Sequence, residues 1–193
     1  MKNGKKMKIS FNAPVILTFA CICLVVLILG MFTAGISTNA VFMTGGGSWR
    51  NPMTYLRLFT HVFGHADWAH FIGNMSYILL LGPMLEEKHG SSRIVEIILV
   101  TAFVTGVING VCFSNIGLCG ASGIVFAFIL LTSFTNFKEG EIPLTFILVA
   151  VIYLGQQIFE GLTLRDNVSN LAHIIGGIVG AVCGYFLNKR KKR

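Results

Sequence analysis

Charge is scarce in this chain. Of its 193 residues only 12% are Asp, Glu, Lys or Arg, while 54% are hydrophobic. Soluble domains carry about 25% charged residues. That shortfall, with several long apolar runs, argues against a soluble domain and for a polytopic membrane protein. A disulfide framework is also missing. The five cysteines, Cys21, Cys23, Cys112, Cys119 and Cys183, lie mostly inside apolar runs and read as small packing residues. Cys112 and Cys119 flank one short loop, the only pair placed to join in an oxidising compartment. There is no internal repeat and no low-complexity tract, and the two halves do not match as those of an inverted-repeat transporter would.

What is present begins with six apolar segments, at about 14–35, 66–85, 94–113, 121–137, 142–159 and 171–187. Each approaches the roughly 17–25 residues that span a bilayer, the last three at the short end. Inside a membrane only helices and closed barrels satisfy their own backbone, and these lengths exclude barrel strands. The expected fold is therefore all-α, a bundle of six transmembrane helices over 14–187. Short basic tails flank it at 1–13 and 188–193, and the longest connection runs over 36–65. The first run is longer than a signal-peptide core of about 7–15 residues, so a retained first helix is expected.

Net charge is +7, but its placement argues against nucleic acid. The basic residues cluster in "MKNGKKMK" and "NKRKKR", at the ends of a greasy body. Six spans put both ends on one side. Twelve of the fifteen Lys and Arg then fall on that side, and only Arg50, Arg57 and Arg165 on the other. This is a strong positive-inside bias, so both termini are expected in the cytoplasm, facing anionic lipid. The second half of the 36–65 connection, "TYLRLFTHVF", is apolar enough to lie in the interface as an amphipathic element.

Polar groups inside membrane helices are costly and by default mark function. His70 and Asn74 share one face of the second helix, four residues apart. Ser122 opens the fourth helix, flanked by Gly120, Ala121 and Gly123. His173 stands near the start of the sixth, followed by Gly176, Gly180 and Gly184 at +3, +7 and +11. By the topology above, all four polar groups fall in one shallow layer near the outer boundary. The glycine stripe contains Gly-x-x-x-Gly, which lets helix backbones approach closely in lipid. A serine hydroxyl is a poor nucleophile until a base takes its proton, and His173 is such a base. The Ser122 backbone N–H, with His70 and Asn74, would stabilise the tetrahedral oxyanion. No acidic third member stands at matching depth, since nothing ties Asp67 to His173, so the pattern is a Ser–His dyad. A metalloprotease would carry His-Glu-x-x-His, which is absent. No metal or other cofactor is expected.

At these residues the chain resembles the rhomboid intramembrane serine proteases, over about 54–185. The shared motifs are Gly120-Ala121-Ser122-Gly123, Ala172-His173-Ile174-Ile175-Gly176 with Gly180, and His70-x-x-x-Asn74 preceded by "RLFTHVFGH". Glu86 follows Gly82 in the family's Gly-x-x-x-Glu. The resemblance implies Ser122 as nucleophile, His173 as base, and His70, Asn74 and the Ser122 amide as oxyanion hole. It implies a short fourth helix below a water-filled cavity, and a gate formed by the fifth helix and the 159–168 loop. Its substrates would be transmembrane proteins cut near the outer boundary after small side chains. Leu56-Arg57 stands where the family has Trp-Arg. Phe126 stands where a tyrosine often stacks on the catalytic histidine, which keeps the ring and loses its hydroxyl. Arg57, Glu86, Phe126, Gly120, Gly123, Gly176 and Gly180 are thus expected structural supports. His61 and His65 read as hydrogen-bonding residues of the outer segment, His89 as a solvated loop residue. The expected location is a bacterial cell membrane, the partners are lipid and transmembrane substrates, and the sequence leaves oligomeric state open. The alternative is a rhomboid-like protein that binds transmembrane clients without cutting them.

Overall fold

In the computed structural model the described residues are 11–45, 47–134, 174–183 and, between the last two stretches, 144, 147, 148, 151, 152 and 155. Those six isolated residues are helical and fall in the fifth apolar segment. The named elements are α1 (Pro14–Phe32), α2 (Ile36–Val41), α3 (Pro52–Thr60), a 3₁₀ turn (His61–Phe63), α4 (Trp68–His89), α5 (Ser91–Cys112) and α6 (Ser122–Phe134). A seventh apolar helix, α7, covers Ile174–Cys183. Among the described residues there is no strand. The one β-type contact is an isolated antiparallel bridge between Thr44 and Leu118.

Local chemistry sets the helix ends. Pro14 and Pro52 stand in first turns, where a missing N–H costs nothing. The Asn51 side chain accepts the Met53 N–H, and the Asp67 carboxylate accepts the His70 N–H, so α3 and α4 are both capped. Gly90, at φ +85, turns α4 directly into α5. His89, expected in a loop, is instead the last residue of α4 and partly buried. A helix runs on past Leu85 because Glu86 is useful there. Its carboxylate accepts the Val15 and Ile16 N–H groups and the Ser91 hydroxyl, tying the start of α1 to the α4–α5 corner.

α6 occupies the middle of the described bundle. Every residue from Gly123 to Leu131 is buried, as an all-round apolar helix requires. Ile16, Phe19 and Cys23 of α1, Met75 and Ile78 of α4, and Ile94 and Ile97 of α5 complete the same core. The outer faces of α1, α4 and α5 expose Val25, Met31, Leu80 and Leu99. Among the described residues α1 and α5 are long and apolar enough to cross a membrane, while α6 and α7 are apolar and shorter.

Small residues join α7 to α6. A Cβ on Gly176 would lie 2.8 Å from Gly123 Cα, and one on Gly180 would lie 2.6 Å from Ala127 Cα. Both partners rise together along the chain, so the two helices run parallel at backbone contact. Helix association in lipid depends on such close packing because lipid removes the hydrophobic driving force.

The 36–65 connection is folded rather than solvated. α2, α3 and the 3₁₀ turn fill it. Arg57 donates twice to the Ala40 carbonyl, at 2.9 Å from Nε and 2.7 Å from Nη2, and so locks α3 to α2. Thr54 and Leu58 are buried while Tyr55, Leu56 and Phe59 are exposed, giving α3 one outward apolar face. Leu58 backbone atoms sit against Gly106 of α5, where a Cβ would come within 2.9 Å.

Candidate active site

The turn before α6 is pinned from two sides. Thr44 and Leu118 exchange both backbone hydrogen bonds, at 3.0 and 2.8 Å. The Gly120 N–H then donates to the His61 carbonyl at 2.9 Å. His61 is itself fixed: its Nδ1 is 3.1 Å from the Arg57 carbonyl and its Nε2 is 3.3 Å from the Thr105 hydroxyl. It is 1% exposed, and burial pushes its pKa down to about 4. A neutral imidazole is therefore a structural post between the outer segment and α5.

Gly120 has φ +124, a conformation that only glycine adopts readily. Space demands glycine as well. A Cβ there would lie 2.6 Å from His70 Nε2 and 3.7 Å from Asn74 Nδ2. The spacing of four residues on α4 thus does what helical geometry requires. It turns both side chains toward the turn that carries Ser122, two residues beyond Gly120.

The hydrogen bonds orient these donors. The Ala66 N–H reaches His70 Nδ1 at 3.5 Å, so Nδ1 is the acceptor and the proton of the neutral ring is on Nε2, the nitrogen beside Gly120. Asn74 is buried and spends one amide hydrogen on the His70 carbonyl at 3.1 Å. Among the described residues its second amide hydrogen has no other acceptor. Ser122, partly buried, is the first residue of α6. The Ala121 carbonyl accepts from Ile124 and Val125 N–H, so the Ser122 and Gly123 amides precede the first intrahelical bonds. The imidazole N–H and the carboxamide thus meet the turn that leads into Ser122, donors of the kind that can hold a developing oxyanion.

Phe126 is buried one turn into α6, and Gly123 is the floor beneath Gly176. Arg57 acts through α2, as above. Glu86 lies three turns from Asn74 along α4, roughly 18 Å at the helical rise, so it holds the opposite end of that helix. His173, Gly184 and the 159–168 loop fall outside the described residues; His173 is the residue before Ile174. All five cysteines are free thiols. Among the described residues no three His, Cys, Asp or Glu side chains converge as a metal site.

Two features had no sequence signal. One is the Thr44–Leu118 bridge, which joins residues far apart in the chain. The other is the contact of the His65 and His70 rings, 5.1 Å between centroids and 64° between planes.

Comparison with known proteins bears on the whole arrangement. A family model described as the Rhomboid domain matches residues 52–190. The Rhomboid protease GlpG of Haemophilus influenzae is 25% identical over 139 residues, covering 70% of this chain and 71% of that protein. The Rhomboid protease GlpG of Yersinia pestis (strain Pestoides F) is 24% identical over 188 residues, covering 93% of this chain and 65% of that protein. The chain therefore spans about two thirds of the length of the Yersinia relative.

Proposed function

The chain belongs to the rhomboid family and is an integral membrane protein; on that premise we propose that it is an intramembrane serine endopeptidase, with Ser122 as nucleophile and His173 as its base. The observation that carries the reading is the meeting of His70 Nε2, Asn74 Nδ2 and the Gly120 turn.

His173 takes the Ser122 proton, and Oγ attacks the carbonyl carbon of the scissile amide. The oxyanion that forms accepts hydrogen bonds from the His70 Nε2–H, the second Asn74 amide hydrogen and the Ser122 backbone N–H. His173 then protonates the leaving amine, and water releases the acyl group by the same steps in reverse. The α6–α7 glycine contact supports the dyad, because it brings the helix that follows His173 into backbone contact with the helix that begins at Ser122. Substrates are transmembrane proteins cut near the outer boundary, and the enzyme has six spans with both termini in the cytoplasm of a bacterial cell.

A fluorophosphonate reagent tests the nucleophile. It should add one phosphonyl group per chain, at Ser122, by intact-mass and peptide analysis. Ser122→Ala and His173→Ala should both abolish the adduct. Labelling at another serine, or labelling that persists without His173, would contradict the dyad.

A further inference from the structure

We infer that His65 is a positioning residue, its ring set edge-to-face on His70 to fix the imidazole that supplies the oxyanion donor. This rests on the reading of His70 as that donor. His65 is 2% exposed and lies between α3 and α4, outside the catalytic groups. Its Nδ1 stands 3.2 Å from the Phe63 carbonyl, so Nδ1 carries the proton. Burial, with His70 alongside, pushes its pKa down to about 4, which keeps the ring neutral near pH 7. Phe71 holds the His65 ring from another side, at 5.5 Å and 83°, and Trp68 in turn packs edge-on against Phe71 at 5.9 Å. Edge-to-face contacts of this kind define ring orientation.

Among the described residues His70 has little else to hold it. The Ala66 N–H reaches its Nδ1 at 3.5 Å, the long limit of a hydrogen bond. On the other side stands Gly120, which offers no side chain. Asp67, the charged group nearest in sequence, accepts the His70 backbone N–H and caps the helix there, and its charge also reaches the ring without a hydrogen bond to it among the described residues. His65 also lines a cavity of about 430 Å³, with Met31, Thr38, Asn39 and Met43 among its walls. The His65 ring thus borders that open space as well as the His70 ring. Its Nε2 is buried without a partner, a cost to folding that its own hydrogen bonds do not explain. Holding His70 explains why an imidazole-sized plane occupies the position.

The test uses the full chain in detergent micelles with labelled histidine. Wild type, His65→Phe and His65→Leu are compared by the ring-nitrogen NMR signals of His70 and by kcat and KM for a transmembrane reporter. Phe keeps the plane without the nitrogens, and Leu keeps apolar bulk without the plane. Should His65→Leu fail to fold, His65→Met replaces it. His65→Phe should retain the Nε2–H tautomer of His70 and at least a third of kcat. His65→Leu should average the two His70 nitrogen signals and lower kcat about tenfold or more, with KM within twofold. Identical His70 signals and equal kcat in the two variants would overturn the inference. A wild type that cleaves nothing would sink the peptidase reading, and the His70 signals would still decide whether His65 positions that ring.

Discussion

Replacing Gly176 by alanine puts one methyl group into the backbone contact between α6 and α7. The new Cβ would lie 2.8 Å from Gly123 Cα and closer still to its carbonyl oxygen. Carbon atoms prefer about 3.5–4.0 Å. The helices must therefore part by roughly 1 Å, or the backbone must bend by as much. Overpacking of this order costs about 1–3 kcal/mol of stability. Its effect on catalysis should be larger, because Ile174 of the displaced helix follows His173 directly. A misplacement of about 1 Å between reacting groups can lower the rate about 100-fold. Gly180→Ala makes the same clash one turn deeper, against Ala127. Gly73→Ala on α4 is the control, since nothing lies within 4 Å of its Cβ. The assay is reporter cleavage in proteoliposomes, paired with unfolding in an SDS titration. Gly176→Ala should lose most of its kcat at a modest loss of stability. Gly73→Ala should match wild type in cleavage. Wild-type activity in both Gly176→Ala and Gly180→Ala, or equal damage from Gly73→Ala, would refute the reasoning.

Three further outcomes are expected. Gly120→Ala meets both a positive φ and the His70 ring, so cleavage should fall about 100-fold while the chain still folds, as checked by SDS titration and reporter assay. Glu86→Gln weakens bonds to two backbone amides and the Ser91 hydroxyl at the far end of α4. It should cost about 1–3 kcal/mol in unfolding and leave kcat per folded molecule within a few-fold. His61 is neutral when folded, with its pKa pushed from 6.5 to about 4 by burial. The unfolded chain then binds the extra proton first as pH falls, so this stability is complete above about 6.5 and is lost progressively toward about 4, some 3 kcal/mol in all. Unfolding measured at pH 7 and pH 4.5 should show most of that loss beside the one from His65, whose pKa is lowered likewise, and His61→Phe should remove the His61 share alone.

The described helices and the shared face of His70 and Asn74 were legible because each depends on local spacing. α1 ends within a few residues of the expected segment, as apolar length alone dictates. The four-residue interval of His70 and Asn74 fixed a shared face, and the structure turns that face toward Gly120. Glycine at 176 and 180 likewise announced a close contact, though not that Gly123 and Ala127 would receive it. The rest rests on pairs remote in sequence. Nothing near Thr44 shows that it will bridge to Leu118, and nothing near Glu86 shows that it will cap α1. In the 36–65 connection the amphipathic second half was legible and stands as α3 with its outward apolar face, but the division into two helices and the bond that joins them were not. Both α2 and α3 are too short for a strong periodic signal, and they are held by Arg57 reaching Ala40 across seventeen residues. His65 was read as a hydrogen-bonding residue, and its Nδ1 does face a carbonyl. Its contact with His70 appears only once the turn before α4 folds back.

The most direct measurement of the central claim is cleavage of a transmembrane reporter by purified protein in lipid. Wild type is compared with Ser122→Ala and His173→Ala, each with and without a chelator. The dyad predicts cleavage by wild type alone, unchanged by the chelator. Cleavage that survives Ser122→Ala would contradict it.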